Sequence, residues 1–209
     1  MLSGTNKHRV QHHLLTATHK PNKLANKRKL VEDYRRAAVL IPLCVIDGVP
    51  SLLFMLRSSH LPSHSGQVCF PGGMMDKSDP DLVYTALRET EEEVGLPASV
   101  PDIWGQLSAL PSRDGSILVT PVIANCGSID ISRLVLDDNE VEDVFHRTIP
   151  SLCDPQNTGS TQFKTGRGYT LPVYLGGEFR IWGLTAIIVH QALAVIAPGI
   201  YAYKLRHRR

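Results

Sequence analysis

Cysteine is scarce and unpatterned in this chain. The 209 residues hold four, Cys44, Cys69, Cys126 and Cys153, with no C-x-x-C pair among them. That excludes a dense disulfide frame and a zinc-finger spacing, and leaves the four as small buried hydrophobes or free thiols of a reducing compartment. Aromatic residues reach only 6% and the net charge is +2. With no basic stripe interleaved with aromatics, nucleic acid is not an expected partner. No apolar signal-type segment opens the chain, so secretion is not expected. The longest apolar stretch, 184–201, is broken by His190, Gln191 and Pro198, so no membrane span is expected. The C-terminal Lys204-Leu205-Arg206-His207-Arg208-Arg209 is not a peroxisomal Ser-Lys-Leu address.

Acids are also missing where cations are dense: none precedes Glu32, although Lys7, Arg9, Lys20, Lys27 and Arg28 do. This composition suits a mitochondrial transit peptide and suits a disordered, solvated tail equally. Mitochondrial and cytoplasmic locations are both compatible with it. The expected organisation is a basic segment over 1–34, one domain over 35–203 and a basic tail over 204–209. Within the first segment LANKRKLVEDYRR, residues 24–36, reads as the helical piece.

An apolar content of 43% and a charged content of 20% describe an ordinary globular domain with a full core. Ala37–Ile46 and Ser51–Leu56 read as strands around an Asp47-Gly48-Val49-Pro50 turn. Ile103–Leu110 and the β-branched run Ser116–Ala124 predict further strands. Asn139–Phe145 reads as a helix or loop. Tyr169–Leu175 and Phe179–Trp182 suggest a hairpin about Gly176-Gly177, and Leu184–Ile196 a closing helix stopped by Pro198-Gly199. The order implies an α/β fold of the α+β type, a mixed β-sheet sandwiched between helices.

The densest chemistry lies in GQVCFPGGMMDKSDPDLVYTALRETEEEVGL, residues 66–96. Phe70-Pro71-Gly72-Gly73 permits a tight turn and a close backbone approach to a ligand. Asp79 is suited to cap the helix that follows, with Pro80 in its first turn, and Gly95 with Pro97 to stop it. At about 100° per residue, Glu89, Glu92 and Glu93 share one sector, while Val83, Ala86, Leu87, Thr90 and Val94 face the core. Carboxylates three and four apart repel by a few tenths of a kcal/mol per pair. A hard divalent cation offsets that repulsion, and so does simple solvation of an acidic face.

Glycine loop, capped helix and Arg88-Glu89-x-x-Glu92-Glu93-x-Gly95 together resemble the Nudix box of the Nudix hydrolases, which cleave diphosphates linked to a further moiety. The family spacing runs Gly, five residues, Glu, seven residues, Arg-Glu. Here Gly73 precedes Asp79 by five residues and eight more separate Asp79 from Arg88, which limits the expected role of Asp79 to capping. The resemblance implies a Nudix fold and Mg²⁺ or Mn²⁺ as cofactor. It makes Glu89 and Glu93 metal ligands with Glu92 beside them, and Arg88 a positioning residue that pairs with a carboxylate. The base that activates water is Glu89 or an acid of NEVEDVF, Glu140 or Glu142.

Outside the box, Leu56-Arg57-Ser58-Ser59-His60-Leu61, then His64 and Gly66, resembles the extended motif of the coenzyme A branch of the family. Tyr169–Tyr174 and Arg180–Ala186 fit the same branch, so the similarity spans about residues 37–201 and favours a mitochondrial member. It implies hydrolysis of coenzyme A or acyl-coenzyme A to 3′,5′-ADP and (acyl-)phosphopantetheine, with Arg57, Ser58, Gly72 and Gly73 at the substrate. A guanidinium at Arg57 suits the extra 3′-phosphate of coenzyme A. Two alternatives stand beside this: a general nucleotide or dinucleotide diphosphatase, and a non-catalytic ligand-binding module of the same fold. Monomer and homodimer are both compatible with the sequence.

Overall fold

A computed structural model of the chain describes residues 4–18, 34–163 and 169–203. Its centre is the apolar run that the sequence marks as a strand. β1 (Arg35–Ile46) pairs in parallel with β7 (Ile117–Ser128) along nearly its whole length. Its C-terminal part turns back through Asp47-Gly48, both at positive φ, into antiparallel β2 (Val49–Arg57). Those two positive φ angles fit the tight two-residue hairpin turn, so the strand resumes at Val49, two residues before the sequence suggests.

The N-terminal part of β1 pairs instead with β4 (Gly72–Met74), and the far end of β2 pairs with β3 (Val68–Cys69). The glycine loop is thus wedged into the sheet where β1 and β2 part. β5 (Asp102–Gln106) and the short β6 (Leu110–Pro111) both pair with β7, so the single strand expected over 103–110 is broken in two.

The reading of 139–145 as helix or loop is corrected. β8 (Val141–Thr148) is a strand antiparallel to β2 from Ser51 to Arg57. Its bulge at Leu56/Arg57 disturbs the apolar alternation that would have announced it. A short helix α3 (Ile149–Cys153) follows. The hairpin expected over 169–182 is also corrected: β10 (Tyr169–Tyr174) pairs with β9 (Thr158–Phe163), and only a single bridge joins Tyr174 to Ile181.

Alternate residues of β1 face opposite layers, as a period of two requires. Ala38, Leu40 and Cys44 meet α2 (Leu82–Val94) through Ala86 and Val94. Ile41 and Leu43 meet the opposite layer, which contains α4 (Gly183–Ile196) and α1 (Gly4–Thr18). The helices α1 and α4 cover that face together.

Residues 4–18 are therefore not the solvated tail their composition suggests, and the helix lies here. Val10 is fully buried and Leu14 nearly so, packed with Trp104 and Leu107. Leu14 lies over Gly105, where a Cβ would come within 2.6 Å of its Cδ1. Arg9 donates to the carbonyls of Val195 and Ile196 at 2.8 and 3.0 Å, capping the C-terminal end of α4, and Lys7 pairs with Asp102 at 2.6 Å. Of the helical piece expected over 24–36, residues 24–33 lie outside the described residues and Arg35 and Arg36 begin β1. The basic tail expected over 204–209 lies outside them too.

Among the described residues no helix is long and apolar enough to cross a membrane. All four cysteines are free, with Cys44 and Cys126 buried. Trp182 is 38% exposed and stacks under Arg180 at 5.6 Å. Neighbouring Ile181 is fully buried.

Candidate active site

The site forms where the glycine loop meets α2. Phe70 anchors the loop, stacking on Phe54 of β2 with ring centroids 4.7 Å apart. The Pro71 carbonyl accepts from Leu40 N–H at 2.8 Å. Gly72 has φ 146°, and a Cβ there would strike the backbone at Ala38 and Val39, so only glycine fits. Its N–H donates to Glu93 Oε2 at 2.7 Å.

Helix α2 is capped by Asp81, not by Asp79. The Asp81 side chain accepts from Tyr84 N–H at 2.8 Å, and Leu82 is the first helical residue. Gly95 ends the helix in the left-handed conformation, φ 67°, as its placement before Pro97 suggests. Asp79 has a larger role than capping. Its side chain is 1% exposed and receives Arg88 in a fork, Nε to Oδ1 at 3.1 Å and Nη2 to Oδ2 at 3.0 Å. Thr85 Oγ1 and the Asp76 N–H also donate to it, at 2.9 and 3.0 Å. The Arg88 bonds, above all, hold the Asp79 carboxyl down at about 2. The one-residue insertion hid this role; an acid just ahead of a helix that carries an arginine about two turns in was the available signal.

With its back face fixed, Arg88 reaches Glu89 Oε1 at 2.9 Å and Glu92 Oε2 at 3.0 Å, and donates to the Met74 carbonyl at 3.3 Å. The three glutamates expected on one sector separate by environment. Glu93 is 3% exposed, Glu89 half-buried and Glu92 exposed. Glu91, on another sector, is exposed as expected. Burial pushes the Glu93 carboxyl up to about 8, opposed by the Gly72 N–H and by Arg57, whose Nη1 is 3.6 Å from Oε1. Burial also raises Glu89, against the pull of Arg88.

Arg57 is also 3.9 Å from Glu140, which stands close enough to raise both Glu93 and Glu89 further. Glu142 faces away: its Oε2 accepts from Ser59 N–H at 3.0 Å and ties down the loop after β2. Ser58, expected at the substrate, is 4% exposed. Its N–H donates to the Glu140 carbonyl at 2.8 Å and its hydroxyl accepts from His60 N–H at 3.4 Å, so it organises the loop from inside. Cys69, which no sequence signal placed here, adjoins Arg57 and Glu93; its thiol is pushed up to about 12, by burial first and Glu93 second.

Oxygen donors of this kind fit a hard divalent cation. A Cβ on Gly73 would fall on the Glu89 carboxylate, so the bare glycine leaves a space beside that group. Among the described residues, no three acidic, imidazole or thiol side chains form a ready-made cage, because Arg88 holds Glu89 and Glu92. A cation must win those oxygens from a guanidinium.

The two glycines predict different outcomes. Gly72→Ala meets immovable backbone at a positive φ and costs about 1–3 kcal/mol of stability, read as a lower midpoint in denaturant. Gly73→Ala meets only a side chain, so stability holds while displaced Glu89 lowers kcat by about 10-fold or more, in line with small misplacements at catalytic groups.

A NUDIX domain family matches residues 33–156. The mouse (Mus musculus) protein named mitochondrial coenzyme A diphosphatase NUDT8 is 47% identical over 168 residues, 79% of this chain and 80% of that one. The human (Homo sapiens) protein of the same name is 46% identical, covering 81% and 72%. A Caenorhabditis elegans protein named Nudix hydrolase 3 is 38% identical, covering 80% and 76%. Among solved structures, a MutT/nudix family protein from Enterococcus faecalis shares the fold at TM-score 0.54 and 17% identity, over 93% of this chain and 75% of that one. The mixed sheet between helices is thus the fold the sequence implied, and this chain belongs to the Nudix hydrolase family.

Proposed function

We propose that the chain hydrolyses the diphosphate of coenzyme A or acyl-coenzyme A, releasing 3′,5′-ADP and phosphopantetheine or its acyl form. The observation that carries this reading is 46–47% identity, across about four-fifths of the chain, to two relatives named for that activity. The site is consistent with it: buried carboxylates, a glycine loop open to a ligand, and an arginine at the rim.

Nudix hydrolases generally need a divalent cation such as Mg²⁺ or Mn²⁺. When bound, it neutralises developing phosphoryl charge and makes water a stronger nucleophile. Glu89 and Glu93 are the groups that would hold it, with Glu92 at the open side. Gly72 orients Glu93 through its N–H, and Asp79 orients Arg88, which sets the approach of Glu89 and Glu92. Of the two loop acids offered as base, Glu140 stands beside the cluster whereas Glu142 is engaged with Ser59. Glu140 is therefore the better placed to take a proton from water. Gly72 and Gly73 let the loop lie close against β1 and the Glu89 carboxylate, and Arg57 supplies a phosphate-binding cation. The mitochondrial location in the relatives' names is the location proposed for this chain.

The test is a panel: coenzyme A, an acyl-coenzyme A, ADP-ribose, NADH and a nucleoside triphosphate, each with Mg²⁺ or Mn²⁺, with products identified. Coenzyme A or its thioester should give the highest kcat/KM and release 3′,5′-ADP. A preference for any substrate without the pantetheine arm overturns the assignment.

A further inference from the structure

Two arginines flank the carboxylates, and they are held very differently. Arg88 has a forked bond to a buried aspartate and a third to the Met74 carbonyl, so its position is set by groups outside the cluster. The side chain of Arg57 is 23% exposed and has no forked anchor among the described residues; besides two glutamates it meets only the weakly bonding thiol of Cys69. It stands 3.6 Å from Glu93 Oε1 and 3.9 Å from Glu140 Oε2, both beyond hydrogen-bond length. Its backbone is the firmly held part, by exchange with Gly66 and Gln67 at 3.0 Å each.

Glu93 divides its oxygens. Oε2 lies 2.7 Å from the Gly72 N–H, while Oε1 faces Arg57. A cation bound through Glu93 therefore approaches the oxygen that Arg57 faces. A guanidinium and a divalent ion at one buried carboxylate oxygen repel strongly, because the medium screens them poorly.

We propose that Arg57 is a displaceable counter-ion of Glu93 and Glu140, which a divalent cation expels and thereby hands over to a phosphate of the substrate. Arg57 and the metal compete for Glu93 Oε1. Once turned from the cluster, the guanidinium presents its five donors to a phosphate, the group it matches best. Metal and phosphate then bind cooperatively, and by linkage each tightens the other by the same factor. The handover rests on the coenzyme A reading above; the competition at Glu93 does not.

The competition is tested with Mn²⁺ alone, titrated calorimetrically into the full chain. Arg57→Met should bind Mn²⁺ about tenfold more tightly than wild type, and Arg57→Lys, which keeps the charge, within about threefold of it. Equal or weaker Mn²⁺ binding by a folded Arg57→Met protein overturns the proposal. Wild type supplies a second measurement should that variant not fold. Mg²⁺ should shift the Nε–H resonance of Arg57, assigned by its loss in Arg57→Lys, while that of Arg88 moves less; a stationary Arg57 signal also overturns it. The handover is read from 3′,5′-ADP binding, which saturating Mg²⁺ should tighten at least about fivefold in wild type. Competition without that tightening rejects the handover. A substrate panel that excludes coenzyme A, with Mn²⁺ competition intact, rejects the coenzyme A reading alone.

Discussion

Glu93→Gln lowers kcat by about 10²–10³-fold, the scale seen when one preorganised electrostatic group is removed, yet the folded protein survives and resists heat better at pH 8. Glutamine keeps an oxygen for the Gly72 N–H and occupies nearly the same volume, so the wedge between β1 and β2 is undisturbed. What disappears is a buried charge. The Glu93 carboxyl lies at about 8 in the fold against an ordinary 4.5. Below 4.5 it is protonated in folded and unfolded chains alike. Between 4.5 and about 8 the unfolded chain has released its proton and the folded one retains it, so stability falls as pH rises through that window. In EDTA the wild-type Tm should therefore decline from pH 5 to pH 8, and the glutamine variant should show a flatter profile. At this chain length each kcal/mol corresponds to about 2–4 °C. Added Mn²⁺ should raise the wild-type Tm most at the alkaline end, where the carboxylate is free to bind it. Parallel profiles for wild type and variant in EDTA would contradict the burial of this carboxylate.

Deleting residues 1–18 should lower Tm by about 10–20 °C, the largest stability effect predicted for the molecule. Burial of Val10 and Leu14 is worth about 2–3 kcal/mol or more together, and the two Arg9 bonds about 1.5–3 each at the upper end, being charge-assisted. A loss of about 5 kcal/mol, at about 2–4 °C per kcal/mol, gives that range. Trp104 and Leu107 would be uncovered as well, with aggregation a visible consequence. Leu14→Asp should reproduce most of the effect by placing a charge against Gly105 and Trp104, and Arg9→Ala a smaller part. A truncated protein that unfolds at the wild-type temperature would show that α1 contributes nothing to the core.

How much of this was legible in the sequence depends on where each residue's signal was local. α2 announced itself because its apolar stripe, its acids and its stop at Gly95 all lie within fourteen residues. β1 and β7 were legible as buried apolar runs, being covered on both faces. β9, Thr158–Phe163, is polar and pairs only with β10, so nothing in its own residues demanded a strand. β8 mixes acids with Val141, Val144 and Phe145, because its two faces meet different layers and its bulge shifts the phase. Among its described side chains α1 has just two that are deeply buried, too few to read as a stripe.

The site divides in the same way. The shared sector of Glu89, Glu92 and Glu93 and the glycine loop before them were visible in the sequence, and the resemblance to the Nudix box singled out Glu89 and Glu93 as the proposed ligands. The work of Asp79 and the loose hold on Arg57 were not visible. Asp79 meets Arg88 and Thr85 of α2 within nine residues, but the insertion masked it, whereas Arg57 meets Glu93 and Glu140 across separations the linear order does not express. The internal bonding of Ser58 was equally hidden, because a polar residue beside a motif gives no sign in the linear order of whether it faces the loop's interior or its open side.

The docking of α1 ties a helix near one end of the described chain to a helix near the other. Arg9 sits on the last carbonyls of α4, and Val10 is sealed beneath. The two helices therefore open together: whatever loosens the C-terminal end of α4 also frees α1 and bares Trp104 and Leu107.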